Sequence, residues 1–171
     1  MSPHEHSFPT TGPGRTAAGL LAALVAAGLA LLAPSASAAP APTAVTPTQA
    51  AQLTQVVALT NQYRQQAGCR PLTRDARAEK SAQAHADWMN TTGTFSHTGV
   101  NGSSFVDRMK AAGYPSPGGE NIAQGQRDAA AVMTAWMNSP GHRANILNCR
   151  FTTIGVGLAG TKNYWVQNFG Y

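Results

Sequence analysis

Charge is scarce in this chain, and acid is scarcer than base. Asp, Glu, Lys and Arg make up 11% of the 171 residues, with 12 basic against 7 acidic side chains and a formal net charge of +5. The balance is unchanged when the first 38 residues, which hold Arg15 and Glu5, are set aside. The basic residues are scattered, with one loose cluster at Arg70, Arg74, Arg77 and Lys80. Scattered charge is a solvated surface that permits attraction to anionic envelopes or lipids without specifying either. No motif supports nucleic acid as a partner. Cysteine is nearly absent, with only Cys69 and Cys149. Long apolar runs do not recur after Ala33, so no membrane span is expected beyond that point. There is no HExxH helix for a metalloprotease and no GxSxG elbow for a serine hydrolase. Internal repeats are also lacking.

What is present begins with a leader. Ala17 to Ala33 is uncharged and rich in Ala, Leu and Gly, Arg15 precedes it, and Ala36-Ser37-Ala38 follows as an A-x-A cleavage pattern. The run is short for a bilayer crossing of about 20 residues. Residues 1–38 therefore read as a secretory signal peptide, and a secreted, extracellular product is expected. His4, Glu5 and His6 look like a metal cluster but fall within that segment. Residues 39–46 alternate Ala, Pro and Thr as a stiff linker. The remaining 47–171 suit a single domain, expected to be a monomer. In an oxidising compartment the two cysteines pair most simply with each other. Such a Cys69–Cys149 bond closes a loop worth roughly 4 kcal/mol in the chain-entropy model.

Apolar spacing predicts a first helix from Thr46-Pro47, with Leu53, Val56, Val57, Thr60, Tyr63 and Ala67 on one stripe and Gly68 as its stop. Tyr63 is read at the core edge and Arg64 on the surface. A second helix is predicted over about 74–91, capped by Thr73, with Ala78, Ala82, His85, Ala86 and Met89 on one face and Trp88 beside them. A short helix over about 103–112 opens with a Ser104/Asp107 capping box. Pro115, Pro117, Gly118 and Gly119 are expected to prevent regular structure until Glu120, after which 121–124 reads as a strand. Asp128 caps a helix running to Asn138, and 153–158 with 164–169 alternate as a hairpin. The expected fold is α+β: three or four helices around a small antiparallel sheet, layered as an α-β-α sandwich.

Three polar residues stand on broken segments: His97 in FSHTG, Glu120 in GGENIA, and His142 after Pro140-Gly141 in WMNSPGHRANIL. Two imidazoles and a carboxylate have two chemical uses if they converge. They hold a cation such as zinc with a position open to water, or they form a general acid/base pair with Glu120 orienting a histidine. Three unconnected surface residues remain the alternative. Ser139, three residues before His142, is read chiefly as a helix-ending serine.

The ordered set NQYRQQAG, FSHTG, GENIA, AWMNSPGHRANIL, IGVGLA and YWVQNFG resembles the CAP superfamily of cysteine-rich secretory, antigen 5 and pathogenesis-related 1 proteins, in its bacterial secreted form. The resemblance covers 53–171 and implies an α-β-α sandwich whose cleft is lined by His97, Glu120 and His142 and, in some members, binds zinc. It further implies Asn121 and Gln167 as neighbouring cleft residues. The second glutamate common in the family is missing here, with Ser139 or a neighbour in its place. Members of the family have been linked to sterol or lipid binding, proteolysis, defence and envelope interaction. Three readings stay open on these grounds. The favoured one is an extracellular binding module for a metal, lipid or cell-envelope component. The others are a hydrolase using a His-Glu pair or metal-activated water, and a structural domain.

Overall fold

The computed structural model describes residues 47–171. The signal peptide, the linker and Thr46 lie outside the described residues. In chain order the elements are α1 (Pro47–Gln66), β1 (Thr73–Arg74), α2 (Ala76–Thr92), a 3₁₀ turn (Val100–Gly102), α3 (Phe105–Ala111), β2 (Pro117–Gln124), α4 (Ala129–Met137), α5 (Pro140–Ile146), β3 (Thr153–Ala159) and β4 (Tyr164–Gly170).

The four strands form one sheet in the order β1-β3-β4-β2. Beside the antiparallel pairs, β1 runs parallel to β3, so the sheet is mixed rather than purely antiparallel. Side chains alternate across it. Ile154, Val156 and Leu158 on β3 and Trp165 and Phe169 on β4 join Leu53 and Val56 of α1, Met133 and Trp136 of α4 and Ile146 of α5 in the larger core. On the other face Ile122, Tyr164 and Val166 meet Ala82, Ala86 and Met89 of α2. The result is an α-β-α sandwich with α1, α4 and α5 on one side and α2 and α3 on the other.

The α2 layer lies unusually close to the sheet because both surfaces are small. A Cβ on Gly155 would sit 2.1 Å from the carbonyl carbon of Ala78, and one on Gly157 would sit 2.5 Å from that of Ala82. Glycine is the residue that permits such a backbone approach.

Several expectations are corrected. The second helix starts at Ala76, not near Arg74, because Asp75 takes the N-cap and accepts from the backbone N–H groups of Arg77 and Ala78. Thr73, the expected cap, instead pairs with Thr153 in β1. Regular structure begins at Pro117 rather than after Glu120. Pro117 heads an edge strand, where a missing N–H is tolerated, and a register shift follows it. Gly118 is required there for packing, since a Cβ would lie 2.4 Å from the Phe151 ring. There are five α-helices among the described residues, the added one being the short α5 that Pro140 starts at its first position. Arg64, read as a surface residue, is fully buried.

Candidate functional site

His97 stands on the loop after α2, which is held from both sides. His85 Nε2 of α2 meets the carbonyl oxygen of Ser96 at 2.9 Å, and Arg108 Nη1 of α3 donates to the carbonyl of His97 at 3.0 Å. Glu120 points from β2 toward the same α2/α3 face. Its Oε1 lies 2.9 Å from His97 Nδ1, and its Oε2 accepts from Arg108 Nη2 at 2.6 Å. The carboxylate is only 1% exposed and Arg108 8%, whereas the His97 side chain is 58% exposed. A buried charge requires a partner, and Arg108 supplies it. With Nδ1 turned inward to the carboxylate, His97 presents Nε2 outward.

Asn121, the next residue on β2, necessarily faces the opposite layer. Its Nδ2 donates to the carbonyl of His142 at 3.2 Å and to Gln167 Oε1 at 3.1 Å. Asn145 Nδ2 donates to Asn121 Oδ1 at 2.9 Å and to the carbonyl of Glu120 at 3.3 Å. Gln167 Nε2 donates to Thr60 Oγ1 at 2.8 Å, so a buried polar chain runs from α1 through the sheet to α5. Asn121 and Gln167 are fully buried and stand behind the cleft, fixing the first turn of α5, rather than lining it.

His142 sits on that first turn, half-buried. Burial holds its pKa below the usual imidazole value, and the positive form of His97 nearby pushes in the same direction. A groove of about 340 Å³ extends from His142 and Ser139 past Trp136 and the exposed Phe95 to Gln124 and Gln126. Ser139 makes no side-chain cap for α5. Among the described residues no hydroxyl is hydrogen-bonded to either imidazole, and both cysteines are spent in the Cys69–Cys149 disulfide.

No group of three His, Cys, Asp or Glu side chains among the described residues is arranged to hold a metal ion. Both oxygens of Glu120 are engaged, which leaves His97 Nε2 and the His142 ring as donors. A carboxylate behind the inner nitrogen of a histidine is the outer support that fixes a metal-ligating imidazole. A cation at His97 and His142 would have only these two imidazoles and solvent as donors, with Glu120 as support rather than ligand.

Sequence reading singled out His97 and Glu120, which touch, and His142, which lines the groove at the start of α5. It missed Arg108 and Asn145. Asn145 lies within the AWMNSPGHRANIL stretch but was not singled out, and Arg108 carries no motif, though a carboxylate on a strand bound for the core needs a cation and α3 offers Arg108 in its last turn. Among the described residues no helix is long and apolar enough to cross a membrane.

Residues 57–169 match the cysteine-rich secretory protein family, CAP. The uncharacterized protein YkwD of Bacillus subtilis is 45% identical over 115 residues, 67% of this chain and 45% of its own length. The uncharacterized membrane protein YlbC of the same organism is 34% identical over 67% of this chain and 33% of its own. This chain thus spans less than half the length of either relative. A solved extracellular protein containing an SCP domain from Bacillus anthracis superposes with a TM-score of 0.68 at 30% identity, covering 75% of this chain and 45% of that one. An outer surface protein of Borrelia burgdorferi shares the fold with a TM-score of 0.64 at 24% identity, over 70% of this chain and 92% of that one. The sheet order, the two helical layers and the match over most of the folded residues lead to one assignment: the chain belongs to the cysteine-rich secretory protein (CAP) family.

Proposed function

We propose that this chain is an extracellular binding module. Its cleft takes a divalent cation such as zinc between His97 and His142, and a small lipid or cell-envelope ligand along the adjoining groove. The observation that carries the reading is the His97–Glu120–Arg108 arrangement. A carboxylate fixed by a guanidinium at 2.6 Å is an orienting group, and the imidazole it orients is the exposed member of the set. A bound cation would supply Lewis acidity and an attachment point for an anionic or carbonyl oxygen. His97 and His142 would hold it, Glu120 would keep the His97 proton on Nδ1, and Asn121 would hold the α5 turn in place. Export is supported by the A-x-A leader pattern, by a disulfide, and by an extracellular and an outer surface protein among similar structures.

The test is zinc calorimetry on the exported protein, wild type against His97→Ala/His142→Ala. One saturable site, lost in the double variant and weakened in Glu120→Gln, is the expected result. Equal heats in wild type and double variant would sink the cation reading. The hydrolase reading rests on the same His97–Glu120 pair acting as a general base. Turnover of a peptide or ester abolished by Glu120→Gln, with zinc affinity retained, would favour it over binding.

A further inference from the structure

β2 ends the sheet and pairs with β4 along one side only. In an antiparallel strand the N–H and C=O of one residue point the same way, and successive residues alternate. The carbonyl of Glu120 accepts from Asn145 Nδ2 at 3.3 Å, and that of Ile122 accepts from Trp136 Nε1 at 3.2 Å. Both donors come from the α4/α5 layer, not from β4. Residues 120, 122 and 124 therefore turn their main chain to the open edge, while Asn121 and Ala123 turn theirs to Gln167 and Trp165 of β4. The N–H groups of Ile122 and Gln124 lie on that edge, and neither meets an acceptor among the described residues.

The groove beside His142 follows this edge, since Ile122, Ala123 and Gln124 line it in succession. The Ile122 side chain packs on the α2 side of the sheet and the Ala123 side chain on the α1/α4 side. A cavity that touches both lies against the rim between the two faces, where the main chain runs. Phe95, 48% exposed, stands on one bank and Ala135 and Trp136 of α4 on the other. The floor thus offers two donors two residues apart, about 6.7 Å at the rise of a strand. The edge carbonyls of Glu120 and Ile122 already have their donors. An acyl chain would leave both N–H groups unpaired, and one carboxylate would reach one of them. The carbonyls on one side of an extended peptide repeat at the same spacing.

Resting on the binding-module reading above, we propose that this groove takes an extended peptide laid along β2 as a fifth strand, its alternate carbonyls accepting from the N–H groups of Ile122 and Gln124.

The probe is acetyl-Thr-Val-Thr-Val-Thr-amide, titrated into the exported full chain with EDTA present and followed by amide shifts. Decanoate and acetyl-valine amide are the comparisons. Saturable downfield shifts are expected at the Ile122 and Gln124 amide protons, with a smaller change at Ala123 between them. Acetyl-valine amide, too short to meet both donors, should bind about tenfold more weakly or worse. Gln124→Pro removes one donor at an exposed edge position that tolerates proline, and should weaken peptide binding about tenfold, the worth of one hydrogen bond. Gln124→Ala keeps the N–H and should bind as the wild type does. Ala135→Trp fills the groove from α4 and should abolish binding even if Gln124→Pro fails to fold. Equal shifts at residues 122, 123 and 124, equal affinity of Gln124→Pro and Gln124→Ala, or binding that survives Ala135→Trp would each overturn the proposal. Saturable shifts from decanoate with none from the peptide would overturn it in favour of a lipid groove, and no saturable shifts at all would overturn it outright. EDTA keeps the cation apart: zinc heats without peptide shifts would sink the peptide alone, and peptide shifts without zinc heats would sink the cation alone.

Discussion

Arg64 spends its guanidinium on four backbone carbonyls: Nε donates to Arg70, Nη1 to Ile146 and Asn148, and Nη2 to Phe151. Burial pushes its pKa below the ordinary arginine value. Removing the side chain strands those acceptors, each costing about 1–3 kcal/mol if it stays dry. Arg64→Ala is therefore expected to lose about 3 kcal/mol or more in urea unfolding, and Arg64→Lys less, since an ammonium reaches at most three acceptors. A loss within 0.5 kcal/mol, the usual scatter of surface substitutions, would show that the carbonyls rehydrate freely. The sequence could not reveal this residue. An apolar stripe registers hydrophobic side chains, and Arg64 beside Tyr63 reads as solvent-facing until chain distant by more than 80 positions folds over it. Burial holds His85 and His142 below the model-compound value of 6.5. The unfolded chain then takes up protons more readily than the folded one, so stability is full above about pH 6.5 and falls as pH drops from there toward the folded pKa values. Thermal melts between about pH 7.5 and 5 should show declining Tm, and the decline should flatten in His85→Phe/His142→Gln. A flat wild-type profile would mean that neither imidazole is shifted.

The contact of α2 with the hairpin joins two patterns that were each legible alone. Ala78, Ala82 and Ala86 recur at helical spacing, and small residues on a helix face signal a close neighbour. In β3 the apolar residues Ile154, Val156 and Leu158 alternate with Gly155 and Gly157. Only the fold shows that the glycines face the alanines. Gly157→Ala tests the contact with a single methyl. Alanine relieves the entropy cost of glycine in a strand, yet its Cβ would meet backbone atoms of Ala82 and Gln83 at 2.5 Å, which cannot rotate away. The overpacking term should dominate and destabilise by about 2–3 kcal/mol. A neutral result would mean that α2 lifts off the sheet at little cost. Boundaries were less legible than elements for a local reason. Thr73 and Asp75 are both sound N-caps on paper, and β1 pairing consumes the first while Arg77 fixes the second. The Arg77 hydrogen bond is the main reason that the Asp75 carboxyl falls to about 2. The reading of Pro117 to Gly119 as irregular failed because turn-forming residues also suit an edge strand whose neighbours, Phe151 and Asn145, occupy the space of missing side chains.

Across the whole molecule, the layers were legible because periodicity sets which face of each element is apolar, and the pairing of Cys69 with Cys149 was legible because only two cysteines exist. What no periodicity carries is how many restraints converge on one stretch of chain. Residues 146–151 are tied by the disulfide at Cys149, by three carbonyls bound to Arg64, and by the Phe151 ring stacked 5.4 Å from Phe169. This stretch follows α5 directly, so it also anchors the turn that carries His142. Because Arg64 and Phe151 already hold the stretch in the folded state, the disulfide should act mainly on the unfolded chain, by closing a loop of 80 residues. Cys69→Ser/Cys149→Ser is then expected to cost roughly 4 kcal/mol. Its urea m-value should rise, since an uncrosslinked unfolded chain exposes more surface. The amide spectrum of α5 in the folded protein should stay as it is. The opposite pattern, an unchanged m-value with displaced α5 resonances, would place the work of the bond in the native state. Arg64 and Phe151 would then be insufficient to hold the α5 end of the cleft, and zinc binding through His142 should weaken on reduction in step with stability.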